Sequence, residues 1–406
     1  MSVGVIAEER RGFRARGTTF MISGGLLGAV GAYLFQVYGG RALGAEAFAP
    51  IGVLWTAFFI LATILLVPVE QYVTREVATG RKAIPGDLAP VAVMTAIGCV
   101  VGAAFVAVTL DRLFEGDPQY IVQIVLLMVG YSLLFVAKGV LSGARRFANV
   151  GWILIIETGA RLIAGIVLVQ LLASATSLGW AMVIGGFAVL GLGWWRHDTG
   201  ESRVSASPAR GFMAGYVGGT SSSQLLLGGA PLAVAALGGS PELISIIFFT
   251  FTLYRAPLTL IFALQGRILP YLVGLVHDSD HPRLVRITRS VVVIGGGLSV
   301  AGALVGWLFG ADVVSLLFGA EYEPTGVVAM FAAGGVMAAA TAQITSQVLV
   351  AEGRTRRLSY AWFGGLITAV VLLAVLGGAA DTRVAVSFAV GEITALGLMA
   401  YLAIRR

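Results

Sequence analysis

The sequence predicts an all-α membrane protein that crosses the bilayer about twelve times. Hydrophobic residues make up 58% of its 406 positions and charged residues only 12%, whereas a soluble domain carries about 25% charged residues. The mean hydropathy is +0.91. Glycine occurs 55 times, which is typical of helices that approach one another closely in lipid. These observations favour a polytopic helical bundle over a soluble protein.

Twelve apolar segments have the length of about 20 residues that a membrane helix needs. Gly228, Gly229 and Pro231 interrupt the seventh segment, and the tenth is rich in alanine and glycine, so these two show the weakest apolar pattern. The predicted segments cover residues 18–38, 48–69, 89–109, 120–141, 151–172, 176–195, 213–237, 243–264, 290–309, 325–350, 359–377 and 384–403.

The connections between these segments alternate in charge, and this alternation predicts the orientation. One set of connections, together with both chain ends, holds most of the arginines. The opposite set has only Arg41, Arg112 and Arg383 among a larger number of carboxylates. Because basic connections stay on the cytoplasmic side, we expect both termini to be cytoplasmic and the protein to lie in the cytoplasmic membrane.

The chain also shows a faint internal repeat. Ala42-Leu43-Gly44 leads into the second segment and Ala236-Leu237-Gly238 into the eighth, each with a glutamate close behind. We therefore predict an N-terminal six-helix lobe at 1–195, a charged cytoplasmic linker at 196–212 and a C-terminal six-helix lobe at 213–406. Two six-helix bundles in the same orientation are suited to rocking against each other.

The eighth segment contains the most informative charge. Arg255 lies in the apolar run, near the middle of the bilayer, where a charge costs about 2.5–3.5 kcal/mol on insertion and should face protein or water rather than lipid. Pro257 removes a backbone donor two residues later, and Pro68 lies in the matching second segment. We predict that Arg255 binds substrate and that both prolines are hinges. A structural pair between Arg255 and a carboxylate on a neighbouring helix is the alternative.

Four further charges fall inside predicted spans. Glu157 and Arg161 are four residues apart and share one helix face, so they form either a structural pair or a site for substrate or protons. Lys138 lies near the cytoplasmic end of its span, and its stem is long enough to place the amine at the interface. Glu392 lies deep in the last segment and is predicted to be either the partner of Arg255 or a protonatable group.

Several function classes lack their motifs. The sequence has no Gly-Lys-Ser/Thr phosphate loop, no His-Glu-x-x-His motif and a single cysteine, Cys99, so nothing indicates ATP hydrolysis, a metal site or a disulfide. The basic residues are scattered over many connections rather than clustered on one surface, which argues against a nucleic-acid partner. We predict a protein that is not an enzyme and that has no cofactor and no metal.

Short motifs along nearly the whole chain carry a family resemblance. They are Arg41-Ala42-Leu43-Gly44-Ala45-Glu46-Ala47-Phe48, Thr74-Arg75-Glu76-Val77-Ala78, Glu157 with Arg161-Leu162, Tyr254-Arg255-Ala256-Pro257, Leu269-Pro270, Leu317-Phe318-Gly319-Ala320-Glu321-Tyr322 and Ala351-Glu352-Gly353-Arg354. In this order and spacing the sequence resembles the polysaccharide exporters of the multidrug/oligosaccharidyl-lipid/polysaccharide (MOP) superfamily, especially the Wzx-type O-antigen flippases.

The resemblance implies a MATE-like fold and a flippase that moves an undecaprenyl-diphosphate-linked oligosaccharide across the membrane for cell-surface polysaccharide synthesis. It implies a cationic lumen, for which Arg255, Arg161 and Lys138 are the counterparts in this chain. The partners it implies are the lipid-linked saccharide, membrane lipids, a polysaccharide polymerase and glycosyltransferases.

Two alternatives remain open from the sequence. A drug or cation antiporter of the same superfamily would use membrane carboxylates, for which Glu157 and Glu392 are the candidates. A membrane subunit that organises a polysaccharide synthesis complex without transporting would need none of these charges for export.

Overall fold

The computed structural model describes the backbone of residues 3–78, 89–172, 174–193 and 221–405. Within these ranges it describes no side chains at 3–18, 192, 259–260, 262–267, 270 and 355. Throughout this part of the chain the regular structure is helical and no β-strand occurs. The predicted linker at 196–212 lies outside the described residues.

Six helices belong to the N-terminal half of the chain. They are α1 (Val3–Leu43), α2 (Ala45–Ala78), α3 (Ala89–Val108), α4 (Gln119–Gly143), α5 (Phe147–Leu172) and α6 (Ala175–Phe187). A short helical turn, Leu110–Leu113, lies in the connection between α3 and α4.

Seven labelled helices belong to the C-terminal half. They are α7 (Ala230–Ala236), α8 (Pro241–Tyr254), α9 (Ala256–His277), α10 (His281–Phe318), α11 (Gly326–Ala351), α12 (Thr355–Val375) and α13 (Ala380–Ile404). A helical stretch at 221–228 precedes α7.

Among the described residues, nine helices are long and apolar enough to cross a membrane, so the chain is a multi-pass membrane protein. They coincide with the first five and the last four predicted segments. The sixth falls on a shorter apolar helix, Ala175–Gly191. The seventh is described only from residue 221 and is interrupted at Gly229. The eighth is longer than predicted, because helical structure continues to His277, and it is divided into α8 and α9.

Contacts divide the chain into two compact units. Unit 1 contains the described residues of Met1–Leu43 and Ala57–Val217, and unit 2 those of Gly44–Thr56 and Gly218–Arg406. In this division the first half of α2 belongs to unit 2, and the predicted division into two six-helix lobes stays a prediction. Local packing joins this half of α2 to unit 2: the ring of Phe48 lies 4.7 Å from that of Phe249, and the hydroxyl of Ser245 donates to the carbonyl of Ala45 at 2.6 Å.

The backbone strengthens the case for an internal repeat. Gly44 and Gly238, which follow the two matching Ala-Leu dipeptides, have nearly the same left-handed φ, 83° and 84°. This conformation favours glycine and is common where a helix ends. Each glycine thus lies in the short connection between the end of one helix and the start of the next.

Each half also interrupts the following helix at a similar distance from that glycine, at Ala62, 18 residues after Gly44, and at Arg255, 17 residues after Gly238. In α2 the interruption is a π-helical turn, Ala62–Leu66, just before Pro68, whose nitrogen cannot donate to the carbonyl four residues earlier. In the second half, Arg255 ends α8 and caps α9, and Pro257 lies in the first turn of α9, where a missing N–H is tolerated. The hinge role of the two prolines stays a prediction.

Candidate functional site

A buried ionic network lies in unit 1 between α4 and α5. We call Tyr131, Glu157, Thr158 and Arg161 the unit-1 cluster. The Arg161 Nη1 atom lies 2.9 Å from Glu157 Oε1 and donates to the Tyr131 hydroxyl at 3.0 Å. The Tyr131 hydroxyl donates to the same Glu157 oxygen at 2.5 Å, and the Thr158 hydroxyl donates to the other at 2.8 Å. Both carboxylate oxygens of Glu157 therefore accept hydrogen bonds.

Helix geometry and close packing hold the unit-1 cluster together. Glu157 and Arg161 are one turn apart on α5, and both are buried. On α6, Gly185 lies so near that a Cβ there would meet Arg161 Cβ at 2.9 Å and the Glu157 carbonyl oxygen at 3.1 Å. The Phe58 ring packs on Tyr131 with centroids 4.5 Å apart. The cluster is compact and both Glu157 oxygens are satisfied, so an anion at Arg161 would compete with the Glu157 carboxylate.

Lys138 forms a second ion pair in unit 1. Its Nζ lies 2.8 Å from Glu70 Oε2 on α2, and the two side chains are only 18% and 15% exposed. The interpretation that this amine extends freely to the interface is therefore incomplete, because a carboxylate of another helix binds it. Lys138 and Tyr131 are seven residues apart on α4, which places the two ionic sites about 10 Å apart along that helix.

The second predicted group of charges lies in unit 2, on α8 and α13. Arg255 is half-buried at the junction of α8 and α9, and its guanidinium carbon lies 5.4 Å from the Phe251 ring centroid. The Phe251 ring in turn meets the Phe388 ring edge-on at 4.9 Å. Glu392 lies one turn beyond Phe388 on α13, as Arg255 lies one turn beyond Phe251 on α8. We call Phe251, Arg255, Phe388 and Glu392 the unit-2 cluster.

Glu392 differs from Glu157 in its surroundings. Its relative exposure is 0%, and neither carboxylate oxygen accepts a hydrogen bond from any described residue. Two other hydroxyls on the same helices, Thr250 Oγ1 and Ser387 Oγ, are also buried without a hydrogen-bond partner in the described part of the chain. Buried polar atoms in this state call for an unseen water, ion or ligand, or for a neutral carboxyl.

The structure thus sorts the predicted site residues into two places. Arg161, Glu157 and Lys138 lie in unit 1 and are paired there, whereas Arg255 and Glu392 lie together in unit 2. Sequence reasoning found the Glu157–Arg161 pair but missed Tyr131 as its third member and Glu70 as the partner of Lys138. A polar group in the middle of an apolar segment was the available signal for Tyr131, but no pattern indicated which helix it would face.

Sequence comparisons match the chain to uncharacterized proteins. No family model matches the chain. An uncharacterized protein of Mycobacterium bovis is 24% identical over 385 residues, covering 88% of this chain and 85% of that protein. An uncharacterized protein of Mycobacterium tuberculosis matches to the same extent.

Solved structures place the chain in a known fold. An inward-facing multidrug resistance MATE family transporter of the MOP superfamily matches with a TM-score of 0.68 at 12% identity, over 95% of this chain and 97% of that one. A MATE transporter of Vibrio cholerae matches at 0.60 and 14%, over 96% and 97%. An outward-facing MATE structure matches at 0.55 and 13%, over 96% and 94%. The fold is therefore that of the MATE transporters.

Proposed function

We propose that this multi-pass protein, which has the fold of the MATE transporters of the MOP superfamily, is a membrane transporter for a polyprenyl-diphosphate-linked saccharide. Its substrate would be an undecaprenyl-diphosphate-linked oligosaccharide, and its role the export step of cell-surface polysaccharide synthesis at the cytoplasmic membrane. The partners in this proposal are the lipid carrier, membrane lipids, a polymerase and glycosyltransferases.

The observation that carries this proposal is the position of Arg255. It is a half-buried guanidinium at a helix junction within an apolar region. A diphosphate cannot enter hydrocarbon unpaired, because burying a bare charge is very costly. A guanidinium can replace water around it through two parallel N–H donors, which match the spacing of phosphate oxygens. The apolar tail of the substrate needs no such site and can remain in lipid.

Arg161 and Lys138 have a secondary place in this proposal. Each is ion-paired with a carboxylate of unit 1, so contact with a phosphate would require exchange of that carboxylate. We keep both as proposed substrate contacts.

The energy for export would come from the membrane rather than from ATP, for which the sequence has no motif. A potential that is negative inside contributes about 2.3 kcal/mol per charge per 100 mV and favours outward movement of an anion. The proposed cycle is alternating access by movement of one six-helix bundle against the other.

Flipping in proteoliposomes tests the proposal. A fluorescent undecaprenyl-diphosphate oligosaccharide is supplied to one leaflet, and its appearance in the other is followed with and without a potential. We expect Arg255→Gln to slow flipping at least tenfold and Arg255→Lys to retain part of it, while Arg289→Gln, an exposed arginine on α10, has little effect. Normal flipping by Arg255→Gln would contradict the proposal, and normal polymer export in cells would favour a non-transporting subunit.

A second candidate is a MATE-like drug or cation antiporter, and Glu392 is the observation that favours it. A cation exporter needs a membrane carboxylate, and Glu392 is buried with both oxygens unoccupied by described donors. Dye efflux from cells separates the two functions. A cation antiporter should lose efflux in Glu392→Gln, whereas a flippase should show no dye efflux in either form.

A further inference from the structure

Two arginine–tyrosine pairs lie at one end of α12 and α13. On α12, Arg356 Nε donates to the Tyr360 hydroxyl at 2.8 Å, and the guanidinium carbon lies 5.7 Å from the ring centroid. On α13, Arg405 Nη1 donates to the Tyr401 hydroxyl at 2.7 Å, and its guanidinium carbon lies 4.9 Å from that ring centroid. All four residues are exposed. Because the members of each pair are four residues apart, each pair occupies a single helix face.

The two pairs lie at the same end because α12 and α13 are antiparallel neighbours. Arg354, at the start of α12, donates to the Arg405 carbonyl at 3.0 Å and is itself paired with Glu352 at 2.7 Å. Ten residues further along α12, a Cβ at Gly364 would lie 2.5 Å from the Leu398 side chain. Contacts on α12 thus advance along the chain as those on α13 retreat, and Arg354 ties the two ends together.

This end coincides with the edge of both apolar spans. The span on α12 begins at Arg356, and the span on α13 ends at Ile404, one residue before Arg405. Each tyrosine lies one turn inside its arginine, at the depth where aromatic residues with a polar tip are common. The exposed apolar side chains that follow on the same face of α12 are Phe363, Ile367 and Val370. A cationic edge followed by an apolar strip matches the order of phosphate and acyl chain in a phospholipid.

The charge at this end favours an anionic ligand. Neither Arg356 nor Arg405 is paired with a described carboxylate, and the neighbouring Arg357 is exposed as well. Helix α12 and the last three turns of α13 contain no acidic residue. A guanidinium has five N–H donors, so a hydrogen bond to the tyrosine orients it and leaves donors for phosphate oxygens.

We propose that this end of α12 and α13 binds the headgroup of an anionic phospholipid from the surrounding leaflet. The lipid phosphate accepts hydrogen bonds from Arg356 and Arg405, and the acyl chains lie along the exposed apolar face of α12. The sequence predicts that this end faces the cytoplasm, where a negatively charged leaflet attracts basic groups. The inference does not depend on which substrate the protein transports.

Lipid selectivity in solution tests this site. The purified full chain in detergent is titrated with phosphatidylglycerol or with phosphatidylcholine of the same acyl chains, and bound lipid is measured by native mass spectrometry. Each basic residue near an anionic surface contributes about a fivefold factor in affinity, so we expect wild type to prefer phosphatidylglycerol by about tenfold or more. The double variant Arg356→Gln/Arg405→Gln should lose most of this preference and keep its affinity for phosphatidylcholine.

A charge-matched variant separates a defined site from general surface charge. Arg286→Gln/Arg289→Gln removes two exposed arginines of α10 and should keep the wild-type preference. Tyr360→Phe/Tyr401→Phe keeps every charge but releases both guanidinium groups, and should lower the preference about threefold, because side chains that are free must be ordered on binding. Apparent Tm values without added lipid check that all variants are folded.

Three results would overturn the inference. They are equal affinity of wild type for the two lipids, an unchanged preference in Arg356→Gln/Arg405→Gln, and an equal loss in the α10 double variant. The last result would mean that basic surface charge attracts anionic lipid without a defined site. Wild type offers a further check without any variant: raising ammonium acetate from about 0.1 M to about 1 M should reduce the preference, since salt screens exposed charges.

Discussion

The unit-1 and unit-2 clusters contain the same pair of residue types in opposite states. In unit 1, Glu157 and Arg161 are neighbours on one helix, and the hydroxyls of Tyr131 and Thr158 donate to the two Glu157 oxygens. In unit 2, Glu392 and Arg255 are on different helices, and the carboxylate accepts no hydrogen bond from a described residue. We predict from this difference that the first pair stabilises the fold and that the second binds a proton or a ligand.

The largest difference in stability is expected between two variants that each remove the carboxylate of one cluster. Glu157→Gln leaves Arg161 buried without its anionic partner, which typically costs about 3–5 kcal/mol. Glu392→Gln removes a carboxylate that no described donor satisfies, so stability should stay the same or rise. The measurement is the apparent Tm of each purified variant in the same detergent. Equal losses in both variants would remove the distinction between the clusters.

Deleting one hydroxyl from each unit should sharpen the contrast. Tyr131→Phe removes the group that donates to Glu157 and accepts from Arg161, and a buried hydrogen bond to a charged group contributes about 1.5–3 kcal/mol. Thr250→Val removes a buried hydroxyl that has no described partner, so it should be neutral or stabilising. Thermal unfolding of the two variants checks this, and a loss in Thr250→Val would show that a ligand or water satisfies that hydroxyl.

Packing over the unit-1 cluster gives a third comparison. Gly185→Ala inserts a methyl group 2.9 Å from Arg161 Cβ, and such overpacking costs about 1–3 kcal/mol. We expect a loss within that range, because Arg161 Cβ and the Glu157 carbonyl oxygen are fixed to the α5 backbone and cannot move away independently. Gly159→Ala on α5, whose Cβ would meet nothing within 4 Å, is the matched control and should leave the Tm unchanged. A larger loss in the control would mean that the cluster is not closed by α6.

The smallest expected effect is at the start of α8, away from both clusters. The Ser240 side chain accepts from the Leu243 N–H at 3.3 Å, so Ser240→Ala should cost about 1 kcal/mol. The hydrogen bond to Ser240, followed by the backbone, lowers the pKa of Glu242. A lowered folded-state pKa means stability that is present above the unfolded pKa and is lost as the pH falls through the folded one.

A pH series of the apparent Tm checks this last prediction. Wild type should lose a small increment of stability below the ordinary glutamate range, and Ser240→Ala should lose less over the same interval. The increment is small because Glu242 is exposed and solvent screens its interactions. An identical acid response in both proteins would show that Ser240 does not set the ionisation of Glu242.

The sequence alone determined what depends on composition and on local spacing. Apolar content fixed the membrane class, because about 20 apolar residues are enough to span lipid wherever they pack. The spacing of Glu157 and Arg161 predicted their pairing, because positions four apart share a helix face whatever surrounds the helix. The two Ala-Leu-Gly sequences likewise have the same backbone conformation at their glycines, because a glycine adopts a left-handed φ without steric cost.

Only the tertiary structure decided which helices face one another. It paired Lys138 with Glu70, brought Tyr131 to Glu157 and joined the first half of α2 to unit 2. Nothing in the sequence indicates the direction of these contacts, because nearly every helix is apolar around its circumference and its pattern does not mark a buried face. In such a protein the few polar groups acquire their roles from the rotation and depth at which neighbouring helices pack.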